Sequence, residues 1–275
     1  SFTRDQIRQL VFDGQNSLDL FYQELSFNQT RFSGDVVGWY TLPYNSNAGS
    51  CQDITWFNAA VAAARANGIN VDSYSEWIII FTRIPCPFSA YAIIGWGVAV
   101  FNGFPGQYAI YHEVGHNLGI YHANFLNCHG WSIRRYDLCS TQEYGNVFDI
   151  MGNSIRHMNS AEKTYLGWIP QSRIQEVSVN GTYTIYPLEH ISSGIQAIKI
   201  KKADDNDDYY YLEYRQPIGY DAELPNTITG GVGINIWDPT LNGFNGLAPA
   251  SYLIDANPAS LGVSNASLTD GGSIR

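Results

Sequence analysis

Apolar residues near the start of the chain recur first at helical and then at strand intervals. Between Thr3 and Glu24, the positions Ile7, Leu10, Val11, Leu18, Phe21 and Tyr22 predict a long first helix, with Thr3 as its N-cap and an interruption near Gly14. Asp35 to Leu42 alternates toward a strand that Pro43 ends, and the alanine-rich run from Ile54 to Asn67 predicts a second helix closed by Gly68. Trp77 to Ile84 opens on an unbroken apolar run, the composition of a strand buried on both faces. Ile93 to Phe101 predicts a further strand, and Ser160 to Leu166 a short helix with Ser160 as N-cap. Gly167-Trp168-Ile169-Pro170 then marks a domain boundary. Beyond it no helical period appears; Gly181 to Pro187, Ile195 to Lys201, Tyr209 to Arg215 and Gly231 to Trp237 are short runs separated by Gly, Pro, Asn and Asp. They predict an antiparallel β-sandwich. The expected organisation is α+β, with residues 1–169 as one domain and 170–275 as a second, β-rich one.

Composition narrows the setting. The 275 residues, 45% apolar, suffice for one large or two ordinary domains with real cores. Charged residues make up only 15%, and Tyr, Trp, Asn, Ser and Gly are abundant, a balance common among extracellular proteins. A formal charge of -10 disfavours nucleic acid and anionic membrane surfaces as partners. No run approaches the ~18 to 20 apolar residues of a membrane span. The start at Ser1, without an initiator methionine or signal peptide, reads as a processed form or as an expressed segment of a longer chain. Cys51, Cys86, Cys128 and Cys139 lack any C-x-x-C spacing, which argues against a cysteine metal site. Of the three possible pairings, Cys51 with Cys86 and Cys128 with Cys139 is favoured, because the second bridge closes a short loop; free thiols are the alternative. Sequons at Asn28, Asn180 and Asn265 matter only in a secreted eukaryotic protein and are otherwise polar loop positions. Asp204-Asp205-Asn206-Asp207-Asp208 offers hard oxygens to Ca2+ without an EF-hand spacing; a solvated hairpin tip is the other reading.

The chemistry concentrates between Tyr111 and His122. His112 and His116 stand four apart, so on a helix both rings leave one face and can grip one ion. Glu113 follows the first histidine and falls beside that face, near water on the metal rather than the metal itself, the place of a general base. Gly119 permits the positive φ that ends the helix and turns the chain back, delivering His122 as a third ligand. Three neutral imidazoles leave Zn2+ an open fourth position, the hallmark of a catalytic rather than a structural site. His129, His157 and His190 have no ligand spacing and read as surface or hydrogen-bonded residues, with a role near the cleft open for His157.

The stretch matches H-E-x-x-H-x-x-G-x-x-H at every fixed position and so resembles the zinc signature of the metzincin metalloproteases. His-Ala after the motif and Tyr144-Gly145-Asn146 ahead of Asp149-Ile150-Met151-Gly152 are most similar to the gametolysin-like (M11-like) peptidases. The resemblance implies a zincin-like catalytic domain with a mixed twisted sheet, a zinc helix and a Met turn at Met151. Asn153 stands where some metzincins carry a metal-reaching tyrosine. The resemblance also implies that the strand ahead of the zinc helix is a sheet edge that binds peptide, with Gly95, Trp96, Gly97, Val98 and Ala99 as substrate-binding residues. An interior strand with bulges is the other reading of the same residues.

With the ligand spacing, the resemblance implies a secreted zinc metalloendopeptidase, with Glu113 as base and with extracellular, cell-wall or matrix proteins as substrates. The rival from another class is an adhesion protein whose β-rich C-terminal part contacts matrix or glycan.

Overall fold

In the computed structural model, which describes residues 2–45, 51–202, 208–238, 249–259 and 262–273, the first predicted helix forms in pieces and breaks where the glycine stands. α1 (Arg4–Arg8) carries a capping box between Thr3 and Gln6 and runs into a wider-wound turn over Gln9–Asp13 that stops at Gly14. α2 (Leu18–Leu25) follows. The architecture is mixed α/β, and two compact units divide it: Ser1–Tyr22 with Arg31–Gly119, and Gln23–Thr30 with Ile120–Arg275.

In the first unit, α3 (Asp53–Ala66) is helical because its alanines lose little side-chain entropy. The Cys51–Cys86 disulfide ties the approach to α3 to the loop after β1 (Trp77–Phe81). The predicted strand from Ile93 to Phe101 is two strands. β2 (Ala90–Ile93) and β3 (Val98–Asn102) form an antiparallel hairpin around Gly95-Trp96-Gly97, and β3 also pairs in parallel with β1. The strand order β1-β3-β2 makes β3 the middle strand. The apolar run of β1, expected to be buried on both faces, is half-buried throughout, since β3 is its sole ladder partner among the described residues. Asp35 to Leu42 alternates in exposure, as its pattern predicts, but the expected strand does not form: the stretch joins no ladder among the described residues, and Gly38 interrupts it at φ 98.

The second unit holds one large sheet. Its strands are β4 (Ala123–Asn127), β5 (Ser140–Gln142), β6 (Ile174–Glu176), β7 (Ala197–Lys201), β8 (Tyr209–Tyr214), β9 (Gly231–Asp238), β10 (Ala250–Ile254) and β11 (Leu268–Thr269). They run in the order β5-β4-β10-β9-β8-β7-β6, with β11 on β9. β4 with β10 and β6 with β7 are parallel; the other pairs are antiparallel. This corrects two expectations. Strands from both sides of Pro170 share one sheet, so the compact units do not part there. A sandwich needs two facing sheets, and the described strands of this unit lie in one. Among the described residues, Gly181 to Pro187 contributes an isolated bridge from Pro187 to Tyr214 in place of a strand. Period-2 alternation covers both faces of the sheet: Leu126, Ile236, Tyr252 and Ile254 pack in one cluster, while Phe125, Phe148, Ile228 and Leu253 pack in another. Asp204–Asp207 lie outside the described residues, and Asp208 pairs with Lys202 at 3.1 Å.

α5 (Ser160–Tyr165) packs on this sheet and brings charge into its interior. Its N-cap is Asn159, not the expected Ser160: the Asn159 side chain accepts from the Ala161 and Glu162 amides, and its Nδ2 donates to Asp149 at 2.9 Å and to Ser251 at 2.8 Å. Lys163, fully buried, donates to His157 Nδ1 at 2.9 Å. An ammonium has only donors, so His157 carries its proton on Nε2 and gives that hydrogen bond to Glu24 at 2.8 Å. Burial first, then the Lys163 charge, hold His157 down at about 4, so it stays neutral. His157 thereby belongs to the core. Arg215 is buried against Asp221, Nε to Oδ2 at 2.9 Å, with Glu213 and Glu189 within 4 Å of its guanidinium.

Asn159→Ala removes a helix cap and one of the donors to a buried carboxylate together. We expect it to destabilise the second unit by about 2 to 4 kcal/mol, read as a lowered thermal or urea midpoint. A midpoint equal to that of the parent protein would contradict the capping role.

Candidate metal centre

The histidine helix, α4 (Gln107–Asn117), is buried along Ile110 to Asn117 although its sequence is largely polar. α2 grips it through aromatic rings. Phe21 stacks on Tyr111 with centroids 4.4 Å apart, the Tyr22 hydroxyl donates to the Tyr111 carbonyl at 2.6 Å, and the Tyr111 hydroxyl donates to the Asn16 carbonyl. At its other end the helix must satisfy its last carbonyls. The Gly119 amide reaches His116 O at 2.8 Å, with Gly119 at φ 97, the left-handed turn that its sequence position predicts. The Gly95 amide reaches the same carbonyl at 2.9 Å.

That contact relocates the residues expected to bind substrate. Gly95 caps the helix from the β2–β3 turn. A Cβ on Gly97 would sit 1.9 Å from the Ser75 carbonyl oxygen, so the close approach that its glycine permits is to the chain itself. Trp96 is exposed at the hairpin tip. Val98 and Ala99 lie in the middle strand, paired on both sides. The edge expectation fails for them because a paired strand has no backbone groups to offer a peptide.

Past Gly119 the chain turns into β4, whose first residue follows His122. Ala123 donates its amide to the Met151 carbonyl at 2.9 Å, and its own carbonyl accepts from the Asn146 amide at 3.2 Å. Met151 is fully buried. A Cβ at Gly152 would meet the Asn146 oxygen at 1.8 Å, so the turn after Met151 needs that glycine. The Asp149 carboxylate accepts from the Met151 amide at 2.8 Å and from the Asn159 amide at 2.7 Å. Burial nonetheless raises it to about 6, against the lowering effect of these donors.

The ligand atoms of His112, His116 and His122 all lie within 4.8 Å of one another, and all three side chains are buried. The Tyr108 hydroxyl lies 3.4 Å from His112 Nδ1, and Glu143 Oε1 lies 2.7 Å from His122 Nδ1. Such partners on one ring nitrogen leave the other to a metal, so the donor set fits a nitrogen-liganded divalent ion. Glu143 also accepts from the Tyr121 hydroxyl at 2.9 Å. Burial, then that carboxylate, push the Tyr121 phenol up, so it remains a donor. The Tyr144 ring lies 3.8 Å from the His122 ring, centroid to centroid. Burial alone pushes the Glu113 carboxyl up to about 7.

The gametolysin peptidase M11 family model matches residues 1–187, about two thirds of the chain and across Pro170. The chain belongs to the gametolysin peptidase M11 family. No curated protein and no solved structure matches it. Membership in this metzincin-type family implies a metallopeptidase with protein substrates, and the three-histidine cluster is the candidate for its metal site. Glu143, Tyr121 and Tyr144, grouped around the third histidine, were not legible in the motif. A carboxylate ahead of Tyr144-Gly145 carries no signal of its own, and strand register alone brings it to His122.

In the metal-free protein Glu113 is expected to take up a proton near pH 7. The carboxylate infrared band lost as pH falls through that value, and absent from Glu113→Gln, measures it; titration in the ordinary range near 4.5 would show that burial does not govern this group.

Proposed function

We propose that this M11-family chain is a zinc-dependent endopeptidase acting outside the cell, with His112, His116 and His122 as ligands and Glu113 as general base. The observation that carries it is the convergence of three buried imidazoles within 4.8 Å on a segment that also holds a buried carboxyl one residue from the first of them. When bound, the ion supplies polarisation of the scissile carbonyl and acidification of the attacking water toward ~7. Three imidazoles leave it the open position that such chemistry requires. Glu113 takes the proton as water attacks the carbonyl and hands it to the leaving amine. Its surroundings suit both halves of that transfer, because burial removes the carboxylate's preference for staying charged at neutral pH. Met151 braces the start of β4 through the Ala123 amide, which fits a turn that supports the third ligand from behind. Two disulfides and the low content of charged residues fit an oxidising, extracellular setting.

For the substrate, β2 replaces the strand first expected. It pairs with β3 on one side, and an extended peptide could add to the other by main-chain hydrogen bonds.

Glu113→Gln should keep about one zinc per chain while kcat/KM on a peptide falls by ~10² to 10⁴. His122→Ala should instead lose zinc, since one of three protein ligands is gone. Metal analysis with peptide assays separates the two; chelator-sensitive cleavage persisting in Glu113→Gln at the parent rate would remove the base from its role.

The pH profile has a defined sign. Glu113 acts as carboxylate, so activity is present above its pKa and is lost as pH falls through it. A cation beside it favours the charged form and moves that limb below the metal-free value of about 7. The acid limb of kcat/KM should therefore lie below pH ~7, and a profile rising toward acid would contradict this.

A further inference from the structure

We infer that Glu143 is the positioning residue for His122, and that the β4–β5 hairpin is the arm that sets it. The inference presupposes the zinc chemistry proposed above. A carboxylate accepts and does not donate, so the 2.7 Å contact from Glu143 Oε1 places the imidazole proton on His122 Nδ1. Nε2 is then the lone-pair nitrogen, and the neutral tautomer is selected before any ion arrives. The Tyr121 hydroxyl holds the same carboxylate oxygen at 2.9 Å, so the acceptor is itself anchored. Tyr144 adds a ring 3.8 Å from the imidazole, centroid to centroid.

Register delivers these groups. β4 and β5 pair Phe125 with Gln142, Leu126 with Thr141 and Asn127 with Ser140, and the Cys128–Cys139 disulfide closes the hairpin one residue beyond. His122 precedes β4 as Glu143 follows β5. A slip of one residue would turn Glu143 to the other face of the sheet. The turn is seated tightly: a Cβ on Gly145 would come within 2.6 Å of Phe125 Cβ. Tyr144 holds φ 58, a left-handed conformation that is unfavourable for a side-chain-bearing residue. The turn keeps this unfavourable backbone while presenting both Glu143 and Tyr144 to His122. The Glu143 side chain is more than half exposed, so its replacement leaves the sheet's apolar clusters intact.

The test uses the full chain with Glu143→Ala, Glu143→Gln and His122→Ala. Zinc affinity is measured by competition against a chromogenic chelator, the visible spectrum of the Co2+-substituted proteins is recorded, and the metal-free proteins are melted. Glu143→Ala should bind zinc about 10- to 100-fold more weakly and shift the cobalt bands. Glu143→Gln keeps an acceptor oxygen and should return affinity to within roughly threefold of the parent, with its spectrum. Parent affinity and spectrum in Glu143→Ala, while His122→Ala loses zinc, would overturn the inference and leave the zinc proposal standing. A weakened Glu143→Ala whose metal-free melting point also drops, with no rescue by glutamine, would make Glu143 a structural residue and overturn it as well. A parent protein that retains no zinc would sink both.

Discussion

The second unit turns on a carboxylate that has no water to face. Asp149 is wholly buried, and an ionised carboxylate in such a place costs several kcal/mol unless donors surround it. Its donors are the Met151 amide and the amide and side chain of Asn159. Satisfying one group therefore fixes two elements: the turn through Met151 and the first turn of α5. The turn fixes a third, since the Met151 carbonyl takes the Ala123 amide and so sets where β4 begins, one residue after His122. The site's third imidazole thus follows a hydrogen-bond chain that starts at a buried aspartate.

Around that chain the interior is unusually polar. Burial raises Glu162 well above the usual range, and neighbouring Asp149 adds to it, while Lys163 is drawn down to about 8. Such pairs add little net stability over apolar packing, but breaking one partner leaves a charge stranded. Through them α5 is ordered against β8, where Glu213 attracts the Lys163 charge. The Ser160 amide on Glu213 and the His157 amide on Asp221 carry this ordering into the backbone.

The site was more legible in sequence than the fold around it, for a physical reason. Ligand spacing on a helix is local, so His112, His116, Glu113 and the Gly119 turn follow from 3.6 residues per turn and one positive φ. The bridges Cys51–Cys86 and Cys128–Cys139 were favoured on similarly local grounds. β4 was not: Ala123-Asn124-Phe125-Leu126-Asn127 has weak strand propensity, and its conformation comes from partners distant in the chain. The β2–β3 turn did leave a mark, Gly95 and Gly97 within an apolar run, but the run read as one strand. Pro170 looked like a seam because helical periodicity stops there. A change of local period says nothing of which strands later share a sheet.

The parallel pairing of β4 with β10 has a consequence in time. Ser251 to Ile254 lie beside Ala123 to Leu126, so the strand that follows His122 gains its inner neighbour only after the long intervening stretch of chain has been made. At roughly 5 to 20 residues per second, the ribosome has the whole histidine motif in hand several seconds before that neighbour emerges. A nascent chain thus carries all three candidate ligands well before the frame that aims the third of them. The local motif and the long-range pairing that frames its last histidine are completed at different times.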